Sequence, residues 1–393
     1  MIFIRNSMCI IGLVLMSACA EKSKKVILVK NSLDIERFSE TVELTKGLLK
    51  INSLDGLGVR DLESNEVLIS QLVDEDGDNQ FDLLIFQPKI NGKSRKSYEI
   101  IKTADGDQPQ SIDYCYSRFV PERTDDYAWE NNRVAFRMYG PTAQKMVEDG
   151  KKGGTLSSGV DAWLKKVDYP IINKWYKKET QTGGTYHEDD GEGLDNFHVG
   201  VSRGVGGVAV KKDSSYHFSK NYTEWRTITT GPIRTSFHLE IDKWTAAGSL
   251  IKESKVISLD YGNNLSKFEV ILEGTNEISA GLTLHEKDGQ VSFNKEQGWV
   301  SYWQPHGNSE LGTGIIAEPG AFLGYEKYDV EQKDLSNVYA HLKVSGKKIT
   351  YYAGFGWKER GRFNNQQQWE HYLEQISRQL QNPLTITLSE SDL

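Results

Sequence analysis

Cysteine is nearly missing from this chain. Three occur in 393 residues, at Cys9, Cys19 and Cys115. Two of them fall in the opening segment, so the remainder has no partner for an internal disulfide and no cysteine-based zinc site. A lone thiol can serve as a nucleophile, but Cys115 sits in Tyr114-Cys115-Tyr116, which alternates like a strand and reads as buried packing. Long apolar runs are missing too. The stretch from Ile10 to Met16 is too short to span a bilayer as a stable helix. There is no excess of basic residues: net charge is −8 and there is no basic tail, which argues against a nucleic-acid partner. No phosphate loop, dinucleotide fingerprint, Gly-x-Ser-x-Gly elbow or zinc-protease motif occurs, so nucleotide chemistry and serine hydrolysis are disfavoured.

What is present begins at the N-terminus. Met1-Ile2-Phe3-Ile4-Arg5 carries one positive charge, the short apolar run follows, and Leu15-Met16-Ser17-Ala18-Cys19 places small residues just before a cysteine. This reads as a bacterial lipoprotein signal over residues 1–18, with Cys19 becoming the lipidated first residue. An ordinary cleaved secretory signal is the alternative. Residues 19–24 form a short tether. Ala20-Glu21-Lys22-Ser23-Lys24 lacks an acidic run, which favours a periplasm-facing anchor on the outer membrane.

The rest is long enough for one large or two ordinary domains. Strand-like segments dominate: Val67 to Leu72, Phe81 to Phe86, Thr235 to Ile241 and Lys267 to Glu273. Asp74-Glu75-Asp76-Gly77-Asp78-Asn79 lies between the first two. It fails the EF-hand pattern and reads as a hairpin tip, with calcium binding as the alternative. Helical character is expected between about Pro141 and Lys178, interrupted by Gly153-Gly154 and Pro170, with Trp163, Val167, Ile171 and Trp175 recurring every four residues. Trp369, Leu373, Ile376 and Leu380 predict a C-terminal helix that Pro383 ends, followed by a last strand from Leu384 to Leu388. Many strands with one helical insertion predict a mostly β protein, a single large β-sandwich over residues 25–388. Two domains with a break near residue 110 are the alternative.

Three stretches could carry chemistry. The first is Tyr186-His187-Glu188-Asp189-Asp190-Gly191-Glu192-Gly193-Leu194-Asp195-Asn196-Phe197-His198, running on to Arg203 and Gly204. His187 is its best general acid or base, because imidazole titrates near neutral pH. A structural histidine holding the acidic turn, or a metal site from His187, Asp190 and His198, are the alternatives. If the run after Phe197 is extended, His198, Gly200 and Ser202 share a face. The second stretch, Arg118 to Gly140, sets four arginines, Arg118, Arg123, Arg133 and Arg137, among Trp129, tyrosines and carboxylates. It suits either a bidentate clamp on a sugar acid or a network of strand-face ion pairs. The third is Ser301-Tyr302-Trp303-Gln304-Pro305-His306-Gly307, where Trp303 could stack on a sugar or pack in the core, and His306 could be a second acid–base group. With 9 Trp and 18 Tyr, the chain has many rings whose apolar faces suit sugars, although large β proteins bury many aromatics anyway.

These pieces resemble a known family of glycan-degradation lipoproteins, one that includes an ulvan oligosaccharide dehydratase. The matching residues are Val120-Pro121-Glu122-Arg123, Trp129-Glu130-Asn131, Arg137-Met138-Tyr139-Gly140, Asp161-Ala162-Trp163, Lys174-Trp175-Tyr176, Tyr186-His187, Gly191 to Asp195, Val199-Gly200, Gly231-Pro232-Ile233-Arg234 and Gly354-Phe355-Gly356-Trp357. The resemblance implies a galactose-mutarotase-like β-sandwich, shared with polysaccharide lyases. It also implies loss of water from a non-reducing-terminal glucuronic acid of ulvan oligosaccharides, anionic substrates of the uronic acid and sulfated rhamnose type, giving a 4,5-unsaturated uronic acid without a cofactor. His187 and Tyr186 are the expected acid–base groups. Arg203 is expected to neutralise the carboxylate, with Arg137 as the alternative. His198, Arg123, Trp129, Trp303 and His306 are expected to line the sugar site. A polysaccharide lyase, a non-catalytic glycan-binding lipoprotein and a mutarotase or epimerase are the rival functions.

Overall fold

The structure is a computed structural model, and it describes residues 24–103 and 109–389. The lipoprotein signal and Cys19 lie outside the described residues. Among the described residues no helix is long and apolar enough to cross a membrane.

The molecule is mostly β, built of stacked antiparallel sheets. An eight-stranded sheet runs in the order Tyr222–Thr229, Arg234–Ala246, Ser249–Asp260, Leu265–Glu273, Lys348–Trp357, Ser309–Ala317, Trp299–His306, Gln290–Asn294. Period-two alternation aims one face of it inward. In register across four strands, Phe237, Ile257, Phe268 and Tyr351 form one buried row. Facing it is a five-stranded sheet in the order Ser215–His217, Val205–Lys212, Glu277–Thr283, Asn337–Lys343, Phe322–Tyr328. That sheet contributes small residues: Val208, Ala280 and Ala340 pair across three strands and are buried in the same core. The two sheets meet closely where the Tyr351 hydroxyl donates to the Gly206 carbonyl, at 2.6 Å.

The C-terminal helix, Gln366–Gln381, starts where the Asn365 side chain accepts from the Gln368 N–H. Trp369 and Leu373 dock on a glycine track on the sheet's outer face. A Cβ at Gly312 would stand 2.6 Å from the Trp369 ring, and one at Gly314 2.9 Å from Leu373, so only glycine lets the helix settle there. The chain then returns as Thr385–Ser389 to pair with Lys25–Lys30, closing an N-terminal sheet with its own apolar cluster around Leu44, Leu84 and Tyr98. The Asp74–Asn79 segment is the tip of the hairpin between Ser70–Val73 and Leu83–Phe86, as expected. The Asp74 carboxylate accepts from the Gly77 and Asn79 N–H groups, and Asp74, Asp76 and Asp78 bring their carboxylates together at the exposed tip.

A further sheet flanks the sandwich in the order Tyr116–Val120, Asp126–Glu130, Ala135–Met138, Asp161–Lys165, Gly193–Leu194. Both of its faces are covered. Tyr127, Trp129, Phe136, Met138, Ala162 and Leu164 enter the sandwich core. Ala128, Ala135 and Trp163 face the helix Ile172–Gln181. Here the helical reading of residues 141–178 needs correction. Helices occupy Pro141–Glu148 and Ile172–Gln181, but Asp161–Lys165 between them is a strand with every residue buried. A strand buried on both faces loses its alternation, so periodicity alone cannot separate it from a helix. Trp163 and Trp175 do meet, with ring centroids 5.4 Å apart, but across a strand and a helix.

Candidate functional site

Alternation in the flanking sheet builds the site. Three short strands each turn a charged residue toward the helix: Asp126, Arg137 and Asp161, with Arg137 opposite Asp161 in register. Arg137 is 5% exposed. Its Nε donates to Asp161 Oδ2 at 3.0 Å, and its Nη2 donates to the same oxygen at 2.5 Å and to Asp195 Oδ2 at 3.0 Å. Asp126 Oδ2 lies 3.5 Å from Nη1 and accepts from the Tyr176 hydroxyl of the helix at 3.1 Å. Two further carboxylate oxygens, Asp126 Oδ1 and Asp161 Oδ1, are buried without a partner.

Electrostatics follow from burial. Withdrawal from water pushes Asp126 up to about 6, with Arg137 and Arg123 pulling the other way. Burial, and then Asp195, push Asp161 up; burial also pushes Asp195 up. Burial disfavours the Arg137 cation, but Asp195 and Asp161 outweigh that and hold its pKa well above the ordinary value. Two guanidiniums face three carboxylates here, so one retained proton makes the cluster neutral.

The Tyr186–Asp195 segment closes over this cluster. Three of its acids are pinned by basic residues: Asp189 by Lys166, Asp190 by Lys178 and Glu192 by Lys174. Asp190 is therefore committed to Lys178 and does not join His187 and His198 in a metal set. The Tyr186 side chain is 1% exposed, and its hydroxyl accepts from Arg137 Nη1 at 3.1 Å and Arg123 Nε at 3.3 Å. His187 differs: its side chain is 52% exposed. Its Nδ1 lies 2.6 Å from the Asp195 carbonyl, an acceptor only, so Nδ1 donates, and among the described residues Nε2 has no hydrogen-bond partner. Asp195 Oδ2 stands 3.7 Å from the same ring nitrogen. Arg123 is half-buried, and among the described residues it makes no ion pair with a carboxylate.

The expected site residues divide accordingly. Tyr186, His187, Arg137 and Arg123 come together. Arg203 shares none of these contacts: it is fully buried, donates to Ser158 Oγ and the Val201 and Val208 carbonyls, and lies 3.9 Å over the Phe218 ring. Trp129 is fully buried in the sandwich core, its Nε1 donating to Ser266. Trp303 packs beneath the C-terminal helix and donates to Glu310. His198 pairs with Asp334, and His306 Nε2 lies 3.0 Å from Asn196 Oδ1. The run from Phe197 to Arg203 is a turn and not an extended strand, because Gly200 and Gly204 both take positive φ, 51° and 58°. Sequence reasoning gave no role to Asp126, Asp161, Asp195 or Tyr176, although all four fall within the stretches quoted above. The one signal for Asp126 and Asp161 was an acid opening a short strand whose next residues are apolar; Asp195 and Tyr176 had none.

Comparison with known proteins adds the following. Residues 29–386 match the family described as "Domain of unknown function (DUF4861)". The chain is 52% identical over 380 residues to a protein of Formosa agariphila named "Uncharacterized protein P7", covering 95% of this chain and 96% of that one. Among solved structures, an α-mannosidase from Enterococcus faecalis V583 superposes with a TM-score of 0.45 and 11% identity, over 94% of this chain and 46% of that one. A glycosyl hydrolase family 38 protein from Enterococcus faecalis gives 0.46 and 11%, over 94% and 48%. This chain thus spans just under half the length of those two enzymes. The match across nearly its whole length places it in the DUF4861 family.

Proposed function

We propose that this chain is a carbohydrate dehydratase that removes water from a non-reducing-terminal glucuronic acid of ulvan-type oligosaccharides, leaving a 4,5-unsaturated uronic acid. We also propose that it works in the periplasm, anchored through lipid on Cys19. The observation that carries the reaction is a half-exposed His187, its Nδ1 held by the Asp195 carbonyl, next in the chain to Tyr186. The Tyr186 hydroxyl accepts from Arg123, an arginine that makes no ion pair with a carboxylate among the described residues.

The reaction demands these parts. The C5 proton lies α to a carboxylate, and removing it builds a second negative charge on an anion. A cation must hold that carboxylate more tightly as charge develops. Arg137 is poorly suited, because three carboxylates already compensate it. Arg123 is suited: its guanidinium is half-buried, and the Tyr186 hydroxyl holds its Nε, so a bidentate grip on a carboxylate is open to it. His187 Nε2 takes the C5 proton, and Asp195 steadies the imidazolium that forms. In glucuronic acid H5 and O4 lie on one ring face. The same imidazolium then gives its proton to O4 as the C4–O4 bond breaks, the C4–C5 double bond forms and water leaves. In this scheme Tyr186, buried under both guanidiniums, orients Arg123.

His187→Ala should cut turnover by at least ~10²-fold with the fold intact, the usual scale for losing an acid–base group. Arg123→Ala should fall mainly in kcat/KM for uronate substrates. Ultraviolet absorbance of the conjugated product, followed with product mass, is the assay. A His187→Ala variant that keeps most of its rate removes this assignment. Product of shortened chain length would make the enzyme a polysaccharide lyase.

A further inference from the structure

The N-terminal sheet ends on the short strand Val67–Leu68. Beside this edge lies a groove of about 760 Å³, closed on its other sides by Phe38, Ile112, Tyr114 and Tyr261. Apolar side chains gather there in the open. Phe38 is 58% exposed, Ile112 is 54% exposed and Ile69 is exposed as well. The Tyr114 and Tyr261 rings lean together, with centroids 5.3 Å apart. None of the described residues lining the groove is charged, in a chain whose net charge is −8. The cleft beneath the C-terminal helix is different, with Glu40, Glu43, Arg234 and Asp260 in its walls. An exposed apolar patch without charge selects an apolar partner over an anionic sugar. Tyrosine rings, apolar on the face and polar at the tip, suit the boundary between hydrocarbon and water.

The start of the described chain indicates which apolar partner. Lys25 pairs with Ile100, Ile100 with Val59, and Val59 with Leu68. The first strand thus begins in the same row of the sheet as the groove's edge. Three strand spacings separate them, about 14 Å. Cys19 precedes Lys25 by a tether that spans at most about 20 Å. That reach is enough to set a lipid on Cys19 beside Leu68, and too short to let the far side of the molecule settle on the same membrane as easily.

We propose that this groove and the apolar side chains around it are the face by which the protein lies on the bilayer that holds its lipid. Phe38, Ile69 and Ile112 enter the boundary between headgroups and acyl chains, and the two tyrosines stay at headgroup level. The anchor on Cys19 rests on the proposed function; the uncharged apolar face does not. Strand Tyr116–Val120 runs from this face to Arg123, so docking here leaves the candidate site about one strand length, ~17 Å, from the groove.

The test attaches an environment-sensitive dye to the lipidated chain through Ile112→Cys. Cys115 is buried, so among the described residues no other thiol competes. Leu250→Cys is the control: it is 53% exposed and lies at the far end of the strand that leads to Tyr261, roughly 36 Å away. The vesicles are phosphatidylethanolamine with a minority of phosphatidylglycerol. Dye at 112 should shift to the blue, and brominated acyl chains should quench it at least about threefold more than dye at 250, as a face sunk into the headgroup boundary requires. Equal quenching overturns the face. So does a blue shift at 112 that needs no vesicles and grows with protein concentration, which would mean a second copy of the chain. The mature chain carrying Cys19→Ser separates the face from the anchor. It should partition weakly into the same vesicles, and Phe38→Ser with Ile69→Ser should lower that partition about tenfold or more through lost apolar burial. No partition, or one unmoved by that pair, overturns the face. If Cys19 proves to carry no lipid, the anchor fails, and this second measurement alone decides the face.

Discussion

Arg137 and Arg203 are both buried, and their surroundings could hardly differ more. Arg137 sits among Asp126, Asp161 and Asp195, which hold its pKa well above the ordinary arginine value. Arg203 has a serine, two carbonyls and a phenyl ring, and burial pushes it down to about 10. One is the hub of a charged network under the candidate site. The other is a packed cation held by a hydroxyl, two carbonyls and the face of the Phe218 ring. The difference teaches that a buried arginine's chemistry is set by what its neighbours leave uncompensated. Arg137 is already compensated and Arg203, though uncompensated, is closed off from solvent, so the half-buried Arg123 is the arginine we propose for a substrate carboxylate.

Removing the hub should have the largest effect. Arg137→Leu strands three buried carboxylates and should cost about 3–5 kcal/mol in denaturant unfolding. A cost typical of a surface change would contradict the network. Arg203→Met keeps the volume and strands only uncharged acceptors, so it should cost less, about 1–3 kcal/mol. It should also leave dehydration intact where Arg123→Ala does not. If the two outcomes are exchanged, Arg203 is the neutraliser after all.

The smallest effect concerns pH. The folded pKa of Asp126, about 6, lies above the ordinary 3.8. Its contribution to stability is therefore fully present below pH ~3.8 and is lost as pH rises through 6. Asp126→Asn should flatten this part of the profile, lifting the melting temperature relative to wild type more at pH 8 than at pH 4. A constant offset between the two proteins would show that Asp126 is not protonated preferentially in the fold.

Much of the architecture was legible. The rows through Phe237 and Phe268 and the helix from Trp369 to Leu380 each bury one face, and the alternation shows it. Asp161–Lys165 was not legible, because a sheet covered on both sides has no polar face to mark its period. The turn at Gly200 and Gly204 was hidden for another reason: positive φ at a glycine leaves no trace in residue pattern. Within the site, Tyr186 and His187 on one stretch and Arg123 and Arg137 on another were each visible. Their meeting was not, since it depends on Asp195 reaching Arg137 across 58 positions of chain. Trp129, Trp303 and Arg203 have suitable side chains for sugar chemistry, and residue type alone could not reveal that tertiary packing encloses them.

The measurement that tests the account most directly is incubation of the pure protein, and of its His187→Ala variant, with oligosaccharides ending in a non-reducing glucuronic acid. Absorbance of the conjugated uronate and product mass are followed together. The account predicts rising absorbance with loss of one water and no chain cleavage for the wild type, and neither change for the variant. Unchanged substrate with the wild type, or equal rates for both proteins, would contradict it.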